Sequence, residues 1–470
     1  MTKRTRLWLT LSILSIAAVI LIAALAPMRE VGFLLQNARL GTAVVANDLC
    51  YGVFLQGRSE ESVRSAELGP IIDPRLAWAS ARVDLERGTV GVSLLGLFSS
   101  QATQRGDGSC QLGLDPPEQR LFRAPIPDPA PWPDGDAMSP ETVTSEVDME
   151  ALRQAVAEEF LPTAGGVDRG TRSVLVVHRG RLIHQQHADG WDGLVPQNGR
   201  SMSKVLGALL AGSLVAEEII DLDQSDLRPE WQDQRKDISI RALLLMQSGL
   251  QWHESNGPGN TATAQFIAAN AADFIASKPV EKTPGTRFHY SGGDSDLLMS
   301  ILQEQAGLDD QAWWQYLQVA LWEPMGMRQV VVARDRSGKL LSSSGMHASA
   351  LDWARLGLFL ARDGVSRNRR ILPAGWVDFM RTATAESGCN YGAMVWIRGG
   401  CQSQQPSPVF ELSGFMGQGV TVIPETETVI VRTGFGPWIM GDLLERIFPA
   451  LGIQAPSRMA MESRPNSPEH

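Results

Sequence analysis

The sequence predicts a protein of the α+β class, with one large domain, a small N-terminal module and a transmembrane helix. Apolar residues recur at spacings of three and four from Met202 to Leu214, which is the period of a buried helix. Short runs rich in β-branched residues, such as 172–178 and 428–432, are typical of strands. With 470 residues, 43% of them hydrophobic and 20% charged, the chain can bury a substantial core.

The first residues predict attachment to a membrane. Several basic residues precede an uncharged, mainly apolar stretch over 7–26, and about 20 such residues span a bilayer as a helix. A cleavable signal peptide is the alternative, but the run is longer than a usual signal core, so 1–29 is predicted to be a cytoplasmic tail and uncleaved anchor. The charge bias predicts a single-pass protein of the bacterial inner membrane, with its body in the periplasm or outside the cell.

The soluble part divides into unequal segments. Residues 30–114 are predicted to form a small module whose role the sequence does not define. Short alternating runs recur from 47 to 114, and the runs 81–85 and 89–95, which flank a turn at 86–88, predict a hairpin. Residues 115–145 are rich in proline and predict an extended linker, which could also wrap on the large domain. The large domain is predicted over 146–455, and the polar residues 456–470 predict a flexible tail.

Four cysteines agree with export from the cytoplasm. They form two natural disulfide pairs, Cys50 with Cys110 and Cys389 with Cys401, each within one proposed domain. Three connectivities are formally possible, and free reduced cysteines are the alternative. A disulfide in the small module would offset the limited core that so short a segment can build.

A serine and a lysine one helical turn apart give the strongest chemical signal. Ser201 and Lys204 stand at the head of the predicted helix, where positions i and i+3 share one face with Cβ atoms about 5–6 Å apart. A lysine can activate a serine nucleophile if it is neutral, and burial together with the helix dipole is expected to lower the pKa of Lys204. The alternative is an ordinary N-cap serine, since this motif specifies only two positions.

Other motifs follow in a fixed order. Residues 240–250 resemble an LLxMxSGL segment, residues 288–294 a tyrosine motif, and residues 321–327 an LxxPLGM segment. Together with the nucleophile motif they resemble the serine beta-lactamase-related hydrolases, which include class C beta-lactamases, D,D-peptidases and, as the most similar branch, the 6-aminohexanoate-dimer hydrolases. The resemblance covers roughly 146–452, within the large domain predicted over 146–455. It implies a beta-lactamase/transpeptidase-like fold, with an antiparallel sheet flanked by helices and a helical subdomain.

The resemblance also implies roles for individual residues. Tyr290 would be the partner of Lys204 and a second general base, although a core tyrosine is the alternative. The backbone amides of Ser201 and Gln418 would form the oxyanion hole. The mechanism that the resemblance implies needs no metal and no organic cofactor, and none is predicted.

A departure from the family pattern bears on the substrate. Phe415 stands where relatives carry a cationic or polar side chain, which favours a neutral or apolar acyl group in an ester or linear amide over a beta-lactam. A register shifted by one residue, or a Phe415 turned into the core, is the alternative. His253 and Glu254 follow the 240–250 motif and could tune the site. The predicted substrate-binding residues are Ser291, Phe415, Met416, Gly417 and His253.

The predicted function is that of a membrane-anchored, exported serine hydrolase for a small-molecule or peptide-like ester or amide. The alternatives are a D,D-peptidase or beta-lactamase acting on penicillin-type substrates, a catalytically silent binding homologue, and a structural role for the N-terminal module. A net charge of −10 without a basic patch argues against nucleic acid. The absence of a G-x-S-x-G motif argues against an α/β-hydrolase. The oligomeric state is not predicted.

Overall fold

The computed structural model describes residues 28–68, 79–114, 127–138, 146–254, 265–398, 405–436 and 440–454. The predicted membrane span over 7–26, Cys401 and the predicted tail 456–470 lie outside these ranges. Within the described ranges, no helix combines the length and the apolar character needed to cross a bilayer.

The helices and strands alternate along the chain as an α+β protein requires. The α-helices of the described ranges are α1 (Met28–Cys50), α2 (Glu60–Val63), α3 (Met149–Glu158), α4 (Val205–Ala216), α5 (Ile240–Leu244), α6 (Ala271–Ala276), α7 (Gly292–Gln305), α8 (Asp310–Leu317), α9 (Glu323–Met325), α10 (Ala350–Ala361), α11 (Trp376–Met380) and α12 (Met440–Ala450). The strands are β1 (Ser80–Asp84), β2 (Thr89–Leu94), β3 (Phe98–Gln104), β4 (Cys110–Leu112), β5 (Thr171–His178), β6 (Arg181–His187), β7 (Gln197–Asn198), β8 (Val330–Val332), β9 (Met346–Ala348), β10 (Val365–Ser366), β11 (Arg369–Arg370), β12 (Trp396–Arg398), β13 (Val409–Gly414), β14 (Gln418–Ile423) and β15 (Thr428–Gly434). Short 3₁₀ and π turns cover Arg200–Lys204, Gln234–Asp237, Ala385–Ser387, Pro424–Thr426, Tyr51–Leu55, Arg64–Leu68 and Gln318–Trp322.

The large domain is built on a six-stranded antiparallel sheet in the order β12-β13-β14-β15-β5-β6. Successive side chains of a strand point to opposite faces, and β5 sends Leu175 and Val177 into one core and Val174 and Val176 into another. Helix α10 covers the first face, and α3 and α12 pack together on the second. The predicted α+β fold with an antiparallel sheet and flanking helices is confirmed.

Helix α4 lies at the centre of the larger core. The sequence predicted burial along one face, but every residue from Val205 to Leu214 is buried. A Cβ on Gly207 would lie 3.1 Å from Leu298 of α7, and one on Gly212 would lie 2.7 Å from the Trp376 indole of α11. Neighbours therefore enclose α4 on several sides, which fixes the turn that precedes it.

The N-terminal module packs α1 across the four-stranded antiparallel sheet β1-β2-β3-β4. The predicted hairpin is present as β1 and β2, and the predicted disulfide between Cys50 and Cys110 joins the end of α1 to β4. Cys389 is also disulfide-bonded. The core of the module includes Val331 and Ala333 of the large domain, so the module is completed by the domain on which it rests.

The described part of the proline-rich segment, 127–138, is packed on the large domain. Trp132 is 3% exposed, and its indole N–H donates to the Leu351 carbonyl of α10 at 3.4 Å. Asp136 pairs with the buried Arg355 of α10 at 2.8 Å. These contacts tie the segment to the helix that covers the main sheet.

Candidate active site

The nucleophile motif lies in a 3₁₀ turn, Arg200–Lys204, between strand β7 and helix α4. The sequence predicted that the motif would open the α-helix directly, whereas α4 begins only at Val205. A Cβ on Gly199 would lie 2.3 Å from the Trp353 ring, so only glycine fits before this turn. The Ser203 hydroxyl accepts a hydrogen bond from the Met346 amide at 2.9 Å, which ties the turn to β9.

Ser201, Lys204 and Tyr290 come together. The half-buried Ser201 accepts a hydrogen bond at Oγ from Nζ of Lys204 at 3.1 Å. Lys204 is 3% exposed, and its Nζ also donates to the Ser343 carbonyl at 2.8 Å. The same Nζ lies 4.8 Å from the centre of the Tyr290 ring.

Lys204 differs from the prediction in its charge. Burial lowers the pKa of Lys204, as expected from the sequence, but the negative charge of Tyr290, Glu254 and Asp296 outweighs burial and the pKa is raised above its ordinary value. The prediction of a neutral lysine is therefore wrong, because it counted burial and the helix dipole without these oxygens. Lys204 is an ammonium group that donates to the resting serine.

Aromatic rings fix the position of Tyr290. Its ring stacks on Trp396 of β12 at 5.2 Å between centres and meets Tyr391 edge-on at 5.7 Å. Tyr391 is 2% exposed, so the ring that Tyr290 meets edge-on is part of the hydrophobic core. The phenol is thereby held beside Lys204.

Asp296 supports the lysine from α7. One carboxylate oxygen, Oδ1, accepts from the backbone amides of Ser342 and Ser343, each at 2.7 Å, which fixes the loop whose Ser343 carbonyl receives Lys204. Burial raises the pKa of Asp296 to about 6 against the opposing effect of these hydrogen bonds and of Lys204. Asp296 and Ser343 were not among the predicted site residues, since they lie 47 positions apart and no local pattern marks their contact.

Of the two residues after the 240–250 motif, Glu254 is the one that faces the site. Its Oε1 accepts from the Trp252 indole at 3.1 Å and from the backbone amide of Gly292, and its charge acts on Lys204. His253 is exposed. Ser291, predicted to bind substrate, is 2% exposed and caps α7 by accepting from the Asp294 amide at 2.9 Å.

The hairpin between β13 and β14 packs against the 3₁₀ turn Arg200–Lys204, here called the nucleophile turn. A Cβ on Gly414 would lie 2.2 Å from the Gly199 carbonyl, so β13 is in close contact with the turn. Gln418 pairs with Gly414 across the hairpin, and its side chain is taken up by Gly434, whose amide donates to Oε1 at 3.2 Å. Gln418, whose backbone amide was predicted to be the second oxyanion donor, therefore lies on the hairpin that contacts the turn.

The tip of this hairpin presents one large apolar side chain. Phe415 is 51% exposed, so the alternative that it turns into the core does not hold, while Met416 is 9% exposed. Met416 and Gly417 have φ values of 60° and 82°, and the Gly417 carbonyl accepts from Arg432 at 2.6 Å. Arg432 therefore holds the tip of the hairpin by its backbone, while the Phe415 side chain faces solvent.

Comparison with known proteins assigns a relationship to the large domain. The family model described as Beta-lactamase matches residues 159–433, more than half of the chain. A 6-aminohexanoate-dimer hydrolase from Paenarthrobacter ureafaciens is 24% identical over 265 residues, which are 50% of this chain and 65% of that protein. The match therefore spans slightly less than two thirds of that relative.

Solved structures show the same fold. A candidate 6-aminohexanoate-dimer hydrolase from Bacillus anthracis superposes with a TM-score of 0.53 at 19% identity, covering 67% of this chain and 86% of that one. A candidate beta-lactamase from Bacteroides dorei superposes with a TM-score of 0.52 at 16% identity, covering 64% of this chain and 97% of that one. At such identities the likeness concerns the fold alone.

Proposed function

Because this chain belongs to the beta-lactamase family of serine hydrolases, we propose that it cleaves an ester or amide bond through an acyl-enzyme on Ser201. The observation that carries the proposal is the 3.1 Å contact between Lys204 Nζ and Ser201 Oγ, with the Tyr290 phenol on the same ammonium group. A nucleophile, a proton acceptor and a fixed positive charge are thus in contact, as acyl transfer requires.

Acylation follows from the charge of Lys204. As Oγ of Ser201 attacks the carbonyl carbon, its proton passes to Tyr290, which in the proposed mechanism reacts as the phenolate beside the Lys204 ammonium group. The carbonyl electron pair moves onto its oxygen, where the backbone amides of Ser201 and Gln418 stabilise the oxyanion. When the tetrahedral intermediate collapses, the bond to the leaving group breaks, and the leaving group takes the proton from Tyr290.

Deacylation uses the same groups in reverse. The Tyr290 phenolate takes a proton from water, and the resulting hydroxide attacks the acyl carbon. Oγ of Ser201 then leaves and recovers its proton from Tyr290. Lys204 stays charged through both steps and stabilises each anion beside it.

The exposed Phe415 supports a substrate with a neutral or apolar acyl part. A cationic residue at this place would attract a carboxylate, whereas a phenyl ring favours an uncharged chain. Uncharged aryl and alkyl esters are therefore the first substrates to test, and the 6-aminohexanoate dimer named for the relative, which carries an ammonium group and a carboxylate, is the charged comparison. Faster turnover of carboxylate-bearing than of neutral esters would contradict this assignment.

The test of the nucleophile is a fluorophosphonate label followed by peptide mapping. The label is expected on Ser201 in the wild type and is expected to be lost in Ser201→Ala. The control is Ser277→Ala, an exposed serine whose hydroxyl donates to the Phe274 carbonyl and not to the nucleophile turn. Lys204→Ala is expected to slow labelling by about a hundredfold or more. Label that persists in Ser201→Ala would overturn the assignment, and efficient acylation by labelled penicillin would favour the D,D-peptidase or beta-lactamase alternative.

The proposed location is the outer face of the inner membrane, with 7–26 as the anchor. The disulfide between Cys50 and Cys110 supports it, because disulfides persist in oxidising compartments. External protease is expected to degrade the domain in spheroplasts but not in intact cells. Protection in spheroplasts would contradict the proposed orientation.

A further inference from the structure

We infer that the N-terminal module is a positioning element for the nucleophile, and that Asp48 acts on Ser201 through Arg200; the inference rests on the proposed role of Ser201. The module has no counterpart in the segment that matches the family, which begins at residue 159. Its contacts nevertheless converge on the nucleophile turn.

The first contact is an ion pair to the residue before the nucleophile. Asp48, near the end of α1, has a side chain that is 8% exposed and lies 3.6 Å from the Arg200 guanidinium. Arg200 has a φ of 50°, in the left-handed region that a branched or long side chain rarely adopts. A buried carboxylate is costly without a partner, so the pair holds Arg200, and with it the strained start of the turn, against the module.

A second buried carboxylate of the module acts next to the first. Glu67 accepts from Arg172 of β5 at 2.8 Å and also pairs with Arg58. The guanidinium groups of Arg172 and Arg200 lie 5.8 Å and 5.3 Å from the centre of the same ring, that of Phe435. Two carboxylates of the module thus neutralise Arg172 and Arg200, whose guanidinium groups both lie near the Phe435 ring.

The third contact is a ring stack on the strand that holds the turn. Tyr51 of the module stacks on His347 of β9 with ring centres 3.9 Å apart. His347 pairs with Asn198 of β7, the strand that leads into the turn. The neighbouring Met346 amide donates to Ser203 of the nucleophile turn. The ring stack therefore helps to hold β9, and through it the turn, in place.

The disulfide fixes the module residues that make these contacts. Cys50 lies between Asp48 and Tyr51, and its bond to Cys110 joins α1 to β4. The Tyr51 hydroxyl also donates to the Cys110 carbonyl at 3.4 Å. The end of α1 is therefore held where Asp48 reaches Arg200 and Tyr51 reaches His347.

Single substitutions test the inference better than deletion, because the core of the module includes residues of the large domain. Asp48→Asn removes the charge and keeps the shape. The matched control is Asp107→Asn, which breaks another ion pair between module and domain, that of Asp107 with Arg334 at 3.0 Å. Neither Asp107 nor Arg334 contacts the nucleophile turn in the described hydrogen bonds and ion pairs.

The measurement is the rate of acylation by fluorophosphonate and the kcat for a neutral ester, alongside thermal unfolding. Asp48→Asn is expected to slow acylation by about tenfold or more, since a small displacement of a reacting atom has effects of this order, whereas Asp107→Asn is expected to leave it within about twofold. In an Arg200→Met background, Asp48→Asn is expected to cause no further loss, because Asp48 acts through Arg200.

Equal rates in Asp48→Asn and wild type, equal losses in both single variants, or a full additional loss in the Arg200→Met background would overturn the inference. If Asp48→Asn does not fold, Arg200→Lys and Arg200→Met give the same decision: the lysine that keeps the charge should retain acylation and the methionine should not. Label that persists in Ser201→Ala would overturn the proposed function itself, a different result from an active Asp48→Asn.

Discussion

At the scale of single residues, the protonation of Lys204 decides how the site works. Lys204 donates hydrogen bonds to Ser201 and Ser343 while its ammonium group lies beside Tyr290. With the pKa of Lys204 raised, the lysine stays charged near neutral pH. In the proposed mechanism the proton of Ser201 therefore needs another acceptor, and Tyr290 is assigned that role because its ring lies 4.8 Å from the same ammonium group.

Replacing Tyr290 by phenylalanine tests this division of roles. Tyr290→Phe keeps the ring that stacks on Trp396 and removes the hydroxyl, so acylation is expected to fall by about a hundredfold or more while the fold is kept. The measurement is the acylation rate with a neutral ester. Tyr391→Phe, which changes the adjacent buried tyrosine, is the control and is expected to remain active; equal losses in the two variants would contradict the role of Tyr290.

Asp294 makes stability depend on pH. Burial raises the pKa of Asp294 to about 7, well above the ordinary value of an aspartate, against the opposing hydrogen bonds of Ser248 and Ser291. The folded protein thus keeps this proton at pH values where the unfolded chain has released it, so stability falls as pH rises from about 4 to about 7. The contribution is at most a few kcal/mol for one group shifted by this much.

Asp294→Asn is expected to weaken that dependence, because an amide does not titrate and keeps one oxygen for the Ser248 hydroxyl. Urea unfolding of the wild type and the variant at pH 5 and pH 7 measures the effect. Asp296, whose pKa burial raises to about 6, gives a smaller loss in the same direction and remains in both proteins. A variant that loses as much stability between these pH values as the wild type would contradict the assignment.

At the scale of elements, two backbone segments meet with little space between them. The hairpin of β13 and β14 touches the nucleophile turn where Gly414 faces the carbonyl of Gly199. Neither segment can shift without moving the other, because α4 behind the turn is buried throughout. The distance between the serine and the amides of the hairpin depends on this contact.

Gly414→Ala is expected to separate the two segments. The new methyl group would lie 2.2 Å from a backbone oxygen, which cannot rotate away, so a loss of about 1–3 kcal/mol in unfolding free energy and a slower acylation are expected. Gly91→Ala is the control, since nothing lies within 4 Å of its Cβ. Unchanged acylation in Gly414→Ala would show that the contact does not position the oxyanion donors.

At the scale of the whole molecule, what the sequence could predict was set by how local each signal is. The serine–lysine spacing and the tyrosine motif are local, and Ser201, Lys204 and Tyr290 do meet. The sign of the Lys204 pKa shift depends on Glu254 and Asp296, which come from other segments. No local sequence pattern indicates that Glu254 and Asp296 lie near Lys204.

The module shows the same limit. Its hairpin was predicted from alternation, and its disulfide was one of the connectivities left open, because both are properties of the module itself. The pairing of Asp48 with Arg200 joins segments that the sequence analysis had assigned to separate domains. A charged residue in a helix is ordinary in sequence, and only its burial against a partner distinguishes it.

Loss of the module disulfide should affect both stability and catalysis. The Cys50→Ala/Cys110→Ala double variant opens a loop of 60 residues and is expected to lose about 2–5 kcal/mol of unfolding free energy. It should also acylate more slowly at temperatures where it is still folded, because Asp48 and Tyr51 are no longer held. Thermal unfolding and acylation at 15 °C measure the two effects separately; normal acylation in the folded variant would contradict the link.

The ring stack and ion pairs behind the serine have a practical consequence for how this enzyme is produced. A recombinant fragment that begins at residue 159, where the family match starts, would omit Asp48, Tyr51 and Glu67 together. Such a fragment would expose the cations of Arg172 and Arg200 to solvent and leave Val331 and Ala333 uncovered. Inactivity of that fragment would then reflect the loss of these module contacts rather than a wrong choice of substrate, and screening should begin from proteins that retain the N-terminal module.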